Sequence, residues 1–424
     1  MTAVVPDAVD GARLGRRLDE LAAVGDTGDG GVCRLALTDA DGAGRDLVVT
    51  WMRDLGLRID IDGIGNVIGT WPADATGPAV MTGSHIDTVR TGGRFDGNYG
   101  VLAGLEVIET VIESGHVPTR PLAVGFFTNE EGARFAPDML GSLVYVGGQP
   151  LEEALDTVAI DGAVLGDELE RIGYRGPRPC PASPPAAFVE LHVEQGPILE
   201  AESITIGAVT GVQGILWFEL TIVGQSNHAG TTPMRLRRDP ALAAAEIAVT
   251  ARSIARDLAG DQVATVGRID LHPNLVNVIP ARATITVDLR NTDPVALARA
   301  ERMLFDAVER IAADEGVTIE HRTLARFDPV VFDETVIGLV VEAAERRNLP
   351  VRRLPSGAGH DAQMLARVCP SGMIFVPSVG GVSHNPTEFT DADDLQAGAD
   401  VLLDVMLRLA DAPTDRPTDG GSRP

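Results

Sequence analysis

The sequence contains no lysine; all 35 of its basic residues are arginine. Whole mechanisms fall away with that absence. The chain cannot form a Schiff base through a lysine amine. It cannot hold a nucleotide through a GxxxxGK[ST] loop. Cysteine is scarce: Cys33, Cys180 and Cys369 are scattered and form no CxxC pair. That excludes a disulfide framework and points to a reducing, cytoplasmic location. No apolar run approaches the ~18 residues needed to span a membrane. The first twenty residues, MTAVVPDAVDGARLGRRLDE, lack the basic-then-apolar order of a secretory signal. Positive charge is in deficit, with 61 acids and a net charge of −26. The basic surface that nucleic acid requires is therefore missing. The expected partner is a small molecule, with no nucleic acid and no membrane.

What remains is a chain of 424 residues, 44% hydrophobic, which fits two domains better than one. LVVTWMRDLGL (47–57) reads as the end of an amphipathic helix. PAVMTGSH (78–85), PLAVGFFT (121–128) and AAFVELHVEQG (186–196) read as strands. Between the first two lies YGVLAGLEVIETVIESG (99–115), apolar at helical spacing, with Gly115 placed to cap it. Such an order implies an α/β fold with a mixed, largely parallel sheet flanked by helices.

The segment 210–328 has another rhythm. Strands at 215–224, 262–271, 281–290 and 317–327 alternate with helices at 239–260 and 294–316. That β-α-β-β-α-β order predicts an inserted, ferredoxin-like α+β domain. α/β character returns after it. The first domain is therefore expected over 1–209 and 329–412, with a polar, disordered tail at 413–424. RGPRPCPASPP (175–185) reads as a surface connector.

Eight histidines are present. Three of them, His85 in GSHIDT, His192 in ELHVEQGP and His384 in VGGVSHNPTE, follow predicted strands. Open α/β sheets bind ligands at that edge. Asp87, Asp96, the adjacent pair Glu130 and Glu131, and Glu194 occupy similar places. Taken singly, each has an ordinary explanation: His-x-Asp recurs by chance, Asp-Gly is usually a turn, and paired glutamates usually face water. Together, imidazoles and carboxylates at several strand ends make the donor set of a divalent metal site. His116, His272 and His321 read as structural or surface residues.

GSHIDTVRTGGRFDG, FTNEEGARFAPDMLGS, ELHVEQGP, GQSNHAGTTPM, NLVNVIP, VDLR, SGAGHDA and VPSVGGVSHNPTE occur in this order between about 80 and 390. The set resembles the peptidase M20-type amidohydrolases. Within them it is most similar to N-carbamoyl-L-amino acid hydrolases, β-ureidopropionases and allantoate amidohydrolases. The resemblance implies a metallo-exopeptidase-like catalytic domain and two divalent ions, Zn²⁺ or Mn²⁺, with Co²⁺ or Ni²⁺ able to substitute. It implies His85 and His192 on one ion, Glu131 and His384 on the other, and Asp96 bridging. It makes Asp87 the residue that orients His85, and Glu130 the general base. His228 becomes an oxyanion donor reaching across a homodimer formed by the inserted lid domain.

For a small ureido substrate with a carboxylate, the resemblance implies contacts from Gln195, Asn277, Arg290, Gly357, Gly359 and His360. Arg290 would grip the carboxylate, with Asn277 on the same group. NVIPARA departs from the family's NVIPG at Ala281. The activity implied is hydrolysis of an N-carbamoyl-L-amino acid to amino acid, ammonia and CO₂. Allantoate, ureidoglycolate or 3-ureidopropionate is the alternative substrate. An M20 aminoacylase or peptidase fits less well, because FTNEEGARF and GQSNHAGTTPM resemble the ureido-hydrolysing branch; a non-catalytic binding homologue fits less well, because all five ligand positions and Glu130 are present.

Overall fold

A computed structural model describes residues 5–413. The chain forms two compact units, one from the residues up to Thr210 and from Val331 onward, the other from Gly211–Val330. Apart from Pro413, the expected tail lies outside the described residues.

Strands are numbered along the chain. In the first unit, β1 (Arg58–Ile61), β2 (Val67–Trp71), β3 (Val80–His85), β4 (Leu122–Phe127), β5 (Ala187–Val193), β6 (Ile206–Val212), β13 (Val330–Val331), β14 (Val351–Ser356) and β15 (Ser371–Val376) share one sheet. Its order is β1-β2-β4-β3-β5-β15-β6-β13, with β14 also on β6. The centre, β4-β3-β5-β15, is parallel. Every residue of these four strands is buried. That explains their unbroken apolar runs, since both faces are covered. The helices Asn98–Ser114 and Ala392–Ala410 pack on them. Gly115, at φ 71°, closes the first of these helices in the left-handed region.

The flanks differ from the parallel expectation. β1 on β2, β2 on β4 and β6 on β15 are antiparallel. The turn between β1 and β2 is too short for the crossover that parallel pairing requires.

The second unit holds β7 (Gly214–Val223), β9 (Val263–His272), β11 (Arg282–Asn291) and β12 (Thr318–Phe327), antiparallel in the order β12-β7-β11-β9. Two helices, Pro240–Leu258 and Pro294–Glu315, complete it. Each starts in the same way. Asp239 or Asp293 accepts a first-turn N–H, and proline follows at the first helical position. Leu216, Phe218, Leu220 and Ile222 of β7 and Ala283, Ile285, Val287 and Leu289 of β11 face helix residues such as Ile247, Leu304 and Ile311. Each large side chain buried there stabilises the unit by about 1.5–3 kcal/mol. A small two-stranded antiparallel sheet pairs β8 (Asn227–His228) with β10 (Val278–Ile279). Among the described residues no helix is long and apolar enough to cross a membrane.

Candidate metal centre

The parallel strands deliver their C-terminal ends to one place. His85 is the last residue of β3, and His192 is the penultimate residue of β5. Glu130 and Glu131 follow β4, and His384 follows β15. Asp96 stands between them. Its Oδ1 lies 3.3 Å from His192 Nε2 and 3.6 Å from His85 Nε2. Its Oδ2 lies 3.4 Å from His384 Nε2. His384 Nε2 is also 3.3 Å from Glu131 Oε2. Two groups therefore share one carboxylate: His85, Asp96 and His192, and Asp96, Glu131 and His384. Each offers three convergent N and O donors, a set that suits a borderline divalent cation. Glu130 is not in either group; its Oε2 lies 3.4 Å from His85 Nε2.

Backbone contacts orient two of the rings. His85 Nδ1 bonds the carbonyl of Asp87, and His192 Nδ1 bonds that of Val193, both at 2.9 Å. Each leaves Nε2 directed at Asp96. The Asp87 carboxylate does not serve the imidazole by a hydrogen bond, as the sequence reading expected. It accepts the backbone N–H groups of Glu130 and Glu131 instead. Asn129, at φ 56°, turns the chain there, and its amide donates to the carbonyls of Phe135 and Pro137. Beneath the loop after β3, the fully buried Arg34 donates to the carbonyl of Ile86 and to Asn98.

The electrostatics follow from burying acids beside imidazoles. Burial pushes the Glu130 carboxyl well above its ordinary value; His85 opposes this, while Asp361, Glu131 and Asp87 reinforce it. Burial and then Asp96 push Glu131 up to about 8. Burial would raise Asp96 too, but hydrogen bonds from His192, His384 and His85 hold it well below the usual carboxylate range. A bond to Asp96 raises His384 to about 9. Such a concentration of carboxylates is the field that divalent cations neutralise.

Other expected residues take different positions. Gln195, at φ 56°, donates through Nε2 to Asp96 Oδ2 at 2.9 Å and to Ser383. Its Oε1 is buried and lacks a hydrogen-bond partner among the described residues. His360 lines no open wall. It is buried, bonds Ser356 through Nε2, and stacks edge-on against His192 with ring centroids 4.7 Å apart. Gly357 is exposed, and Gly359 abuts the Met139 side chain. Glu194 accepts the N–H groups of Ile198 and Leu199, so it caps a short helix.

In the second unit, His228 is exposed on β8. Its Nδ1 accepts the N–H groups of Gly230 and Thr231 at 3.0 and 3.3 Å. In the neutral ring the proton then sits on Nε2, which becomes a donor. Asn277 adjoins it, since its carbonyl accepts the N–H of Ala229. Arg290 lies elsewhere. It is at the end of β11 opposite Gly214–Ile215, paired with Asp288 and stacked over Trp217. Nine residues of extended strand, roughly 30 Å, separate Ala281 from Arg290. The sequence reading placed Asn277 and Arg290 on the same carboxylate; within one chain they are too far apart. Ala281 itself makes ordinary ladder bonds to His272 and Gly224, so its methyl group is accommodated.

Three residues escaped the sequence reading. Glu190 accepts from Ser84 Oγ at 2.6 Å and from the N–H of Ala362 at 2.7 Å. Asp361 is buried close enough to raise Glu130. Glu388 binds the loop that carries Asp96. Its only signal was its place in SHNPTE, four residues after His384.

An α/β unit with this shared-carboxylate centre has the makings of a metallohydrolase. The chain matches Peptidase family M20/M25/M40 over residues 81–408 and belongs to it. It is 41% identical to an N-carbamoyl-L-amino-acid amidohydrolase of Rhizobium meliloti, covering 95% of this chain and 97% of that protein. It is 36% identical to a ureidoglycolate hydrolase of Oryza sativa subsp. japonica, over 96% of this chain and 86% of that one. The crystal structure of a hydantoinase/carbamoylase family amidase from Burkholderia multivorans superposes with a TM-score of 0.93 at 49% identity, covering 96% and 99% of the two chains.

Proposed function

We propose that the protein hydrolyses N-carbamoyl-L-amino acids to L-amino acid, ammonia and CO₂. The reading rests on one observation. The two oxygens of Asp96 face two different donor groups, and Glu130 stands beside them outside both. His85 and His192 would hold one divalent ion and Glu131 and His384 the other, with Asp96 common to both. Zn²⁺ or Mn²⁺ is the proposed occupant, with Co²⁺ or Ni²⁺ as substitutes. Bound there, such ions supply Lewis acidity to the substrate carbonyl and lower the pKa of water. Glu130 takes the proton of the attacking water and returns it to the leaving nitrogen. The orphaned Oε1 of Gln195 suits a substrate N–H. His228 Nε2–H would stabilise the developing oxyanion.

Arg290 is proposed to bind the substrate carboxylate, with Asp288 orienting its guanidinium. If His228 and Asn277 act on that same substrate, they come from a second chain. The proposed active form is therefore a cytoplasmic homodimer, with the inserted unit as lid and dimer contact. A second reading keeps this machinery and takes ureidoglycolate, allantoate or 3-ureidopropionate; the rice relative's name favours it.

Ammonia release from a panel of these ureido compounds, after chelation and then addition of Mn²⁺ or Zn²⁺, tests the proposal. Metal-restored turnover that is fastest on N-carbamoyl-L-amino acids is expected. Full activity in a metal-free preparation would overturn it, as would cleavage of peptides alone.

A further inference from the structure

We propose that Glu388 is the positioning residue that fixes Asp96 between the two donor groups. This inference rests on the two-metal reading above. Glu388 is 4% exposed. Its Oε1 accepts the backbone N–H groups of both Phe95 and Asp96, each at 3.1 Å. One buried carboxyl oxygen thus holds two successive peptide groups. With its own N–H fixed, Asp96 has little backbone freedom left. Its two carboxylate oxygens then fall to His85 and His192 on one side and His384 on the other.

The clasp also joins two loops. Glu388 follows His384 by four residues, and its N–H is bonded to the carbonyl of Asn385. At the other end, the Thr91 hydroxyl donates to the carbonyl of His384 at 3.2 Å. The Asp96 loop and the His384 loop are therefore tied at two points. Between those points sits Gly93. A Cβ there would lie 2.4 Å from both Cδ and Oε1 of Glu388. Van der Waals radii forbid that approach, so residue 93 must lack a side chain for the carboxylate to reach Phe95 and Asp96. Gly93 and Glu388 form one device seen from its two sides.

Three single variants and one double variant test it. Glu388→Ala removes the acceptor, Gly93→Ala displaces it, and Glu388→Gln keeps a carbonyl oxygen in its place. Metal equivalents per chain are read by atomic spectroscopy and affinities by chelator competition, alongside kcat and KM. Glu388→Ala and Gly93→Ala are expected to weaken metal binding about 10–100-fold and to lower kcat with KM little changed. Glu388→Gln should retain the wild-type stoichiometry. Gly93→Ala combined with Glu388→Gly should be no worse than Gly93→Ala alone, because the clasp is already lost and the whole side chain it collides with, Cβ included, has gone.

Wild-type metal affinity in both alanine variants would overturn the proposal. So would additive losses in the double variant, or Glu388→Gln as impaired as Glu388→Ala. If Glu388→Ala fails to fold, Gly93→Ala and Glu388→Gln decide alone. A wild-type chain holding fewer than two equivalents would instead sink the two-metal reading, and so is distinguishable.

Discussion

The carboxylate of Asp87 accepts the backbone N–H groups of Glu130 and Glu131, at 3.2 and 3.3 Å. One buried acid thus sets the stance of two others. With both peptide groups gripped and Asn129 in the left-handed region, the adjacent side chains diverge. Glu130 goes to His85 and Glu131 to His384. Asp87→Ala orphans two buried donors, at about 1–3 kcal/mol each. Thermal melts should show that loss, and metal affinity or kcat should fall about 10–100-fold. Unchanged melting and kinetics would mean that the pair is held by something else.

Glu130→Gln separates binding from chemistry. The amide cannot take a proton, but its size and place are kept. The loss of kcat should be about 10²–10⁴-fold. Metal content should match that of the wild type, because Glu130 lies outside both donor groups. A variant that turns over normally would remove Glu130 from the base role.

These roles were unevenly legible in the sequence. Long apolar runs announce buried parallel strands, and the donor residues fall at their ends, so His85, His192 and the acid pair could be located from pattern alone. Alternating strands and two long helical segments made the inserted α+β unit equally plain. Hydrogen bonds between loops far apart in the chain leave no such trace. Glu388 meets Asp96 across 292 positions and Glu190 meets Ser84 across 106, and neither spacing has a period. The resemblance counted His360 among the substrate contacts; only the fold puts His192 against its ring. The resemblance put Asn277 and Arg290 on one carboxylate, but within one chain the extended β11 keeps them apart.

Asp62 gives a pH-dependent stability that is independent of the metal centre. It is buried, and that burial raises its carboxyl from 3.8 to about 6 despite bonds from Asn66 and Ile64. The folded state therefore favours the protonated acid. The stabilisation is fully present below about pH 4 and is lost as pH rises through about 6. A rise of that size is worth about 3 kcal/mol. Asp62→Asn cannot ionise. Between pH 4 and 7.5 its unfolding free energy should therefore gain on the wild type by about that amount, by urea melts at each pH. Parallel curves would show that Asp62 is not protonated in the fold.

His228 pairs with Val278, just before β11 begins, whereas Arg290 is near the far end of β11, which makes a prediction about chains as well as residues. If both act on one substrate molecule, each active site draws them from different subunits. His228→Ala and Arg290→Ala should each be strongly impaired as pure proteins when assayed below the wild-type KM, with metal content unchanged. For Arg290→Ala the loss should appear mainly in KM, at about 30-fold or more, as expected when a charge-assisted bidentate contact is removed. Mixed in equal amounts and allowed to exchange subunits, the two variants generate hybrids. A hybrid holds one site with both residues intact and one with neither. In a two-fold dimer, random exchange restores about a quarter of the wild-type sites. Activity climbing toward that level on mixing, with wild-type KM, is the expected result. A hybrid verified by mass yet inactive would show that His228 and Arg290 do not meet on one substrate across subunits.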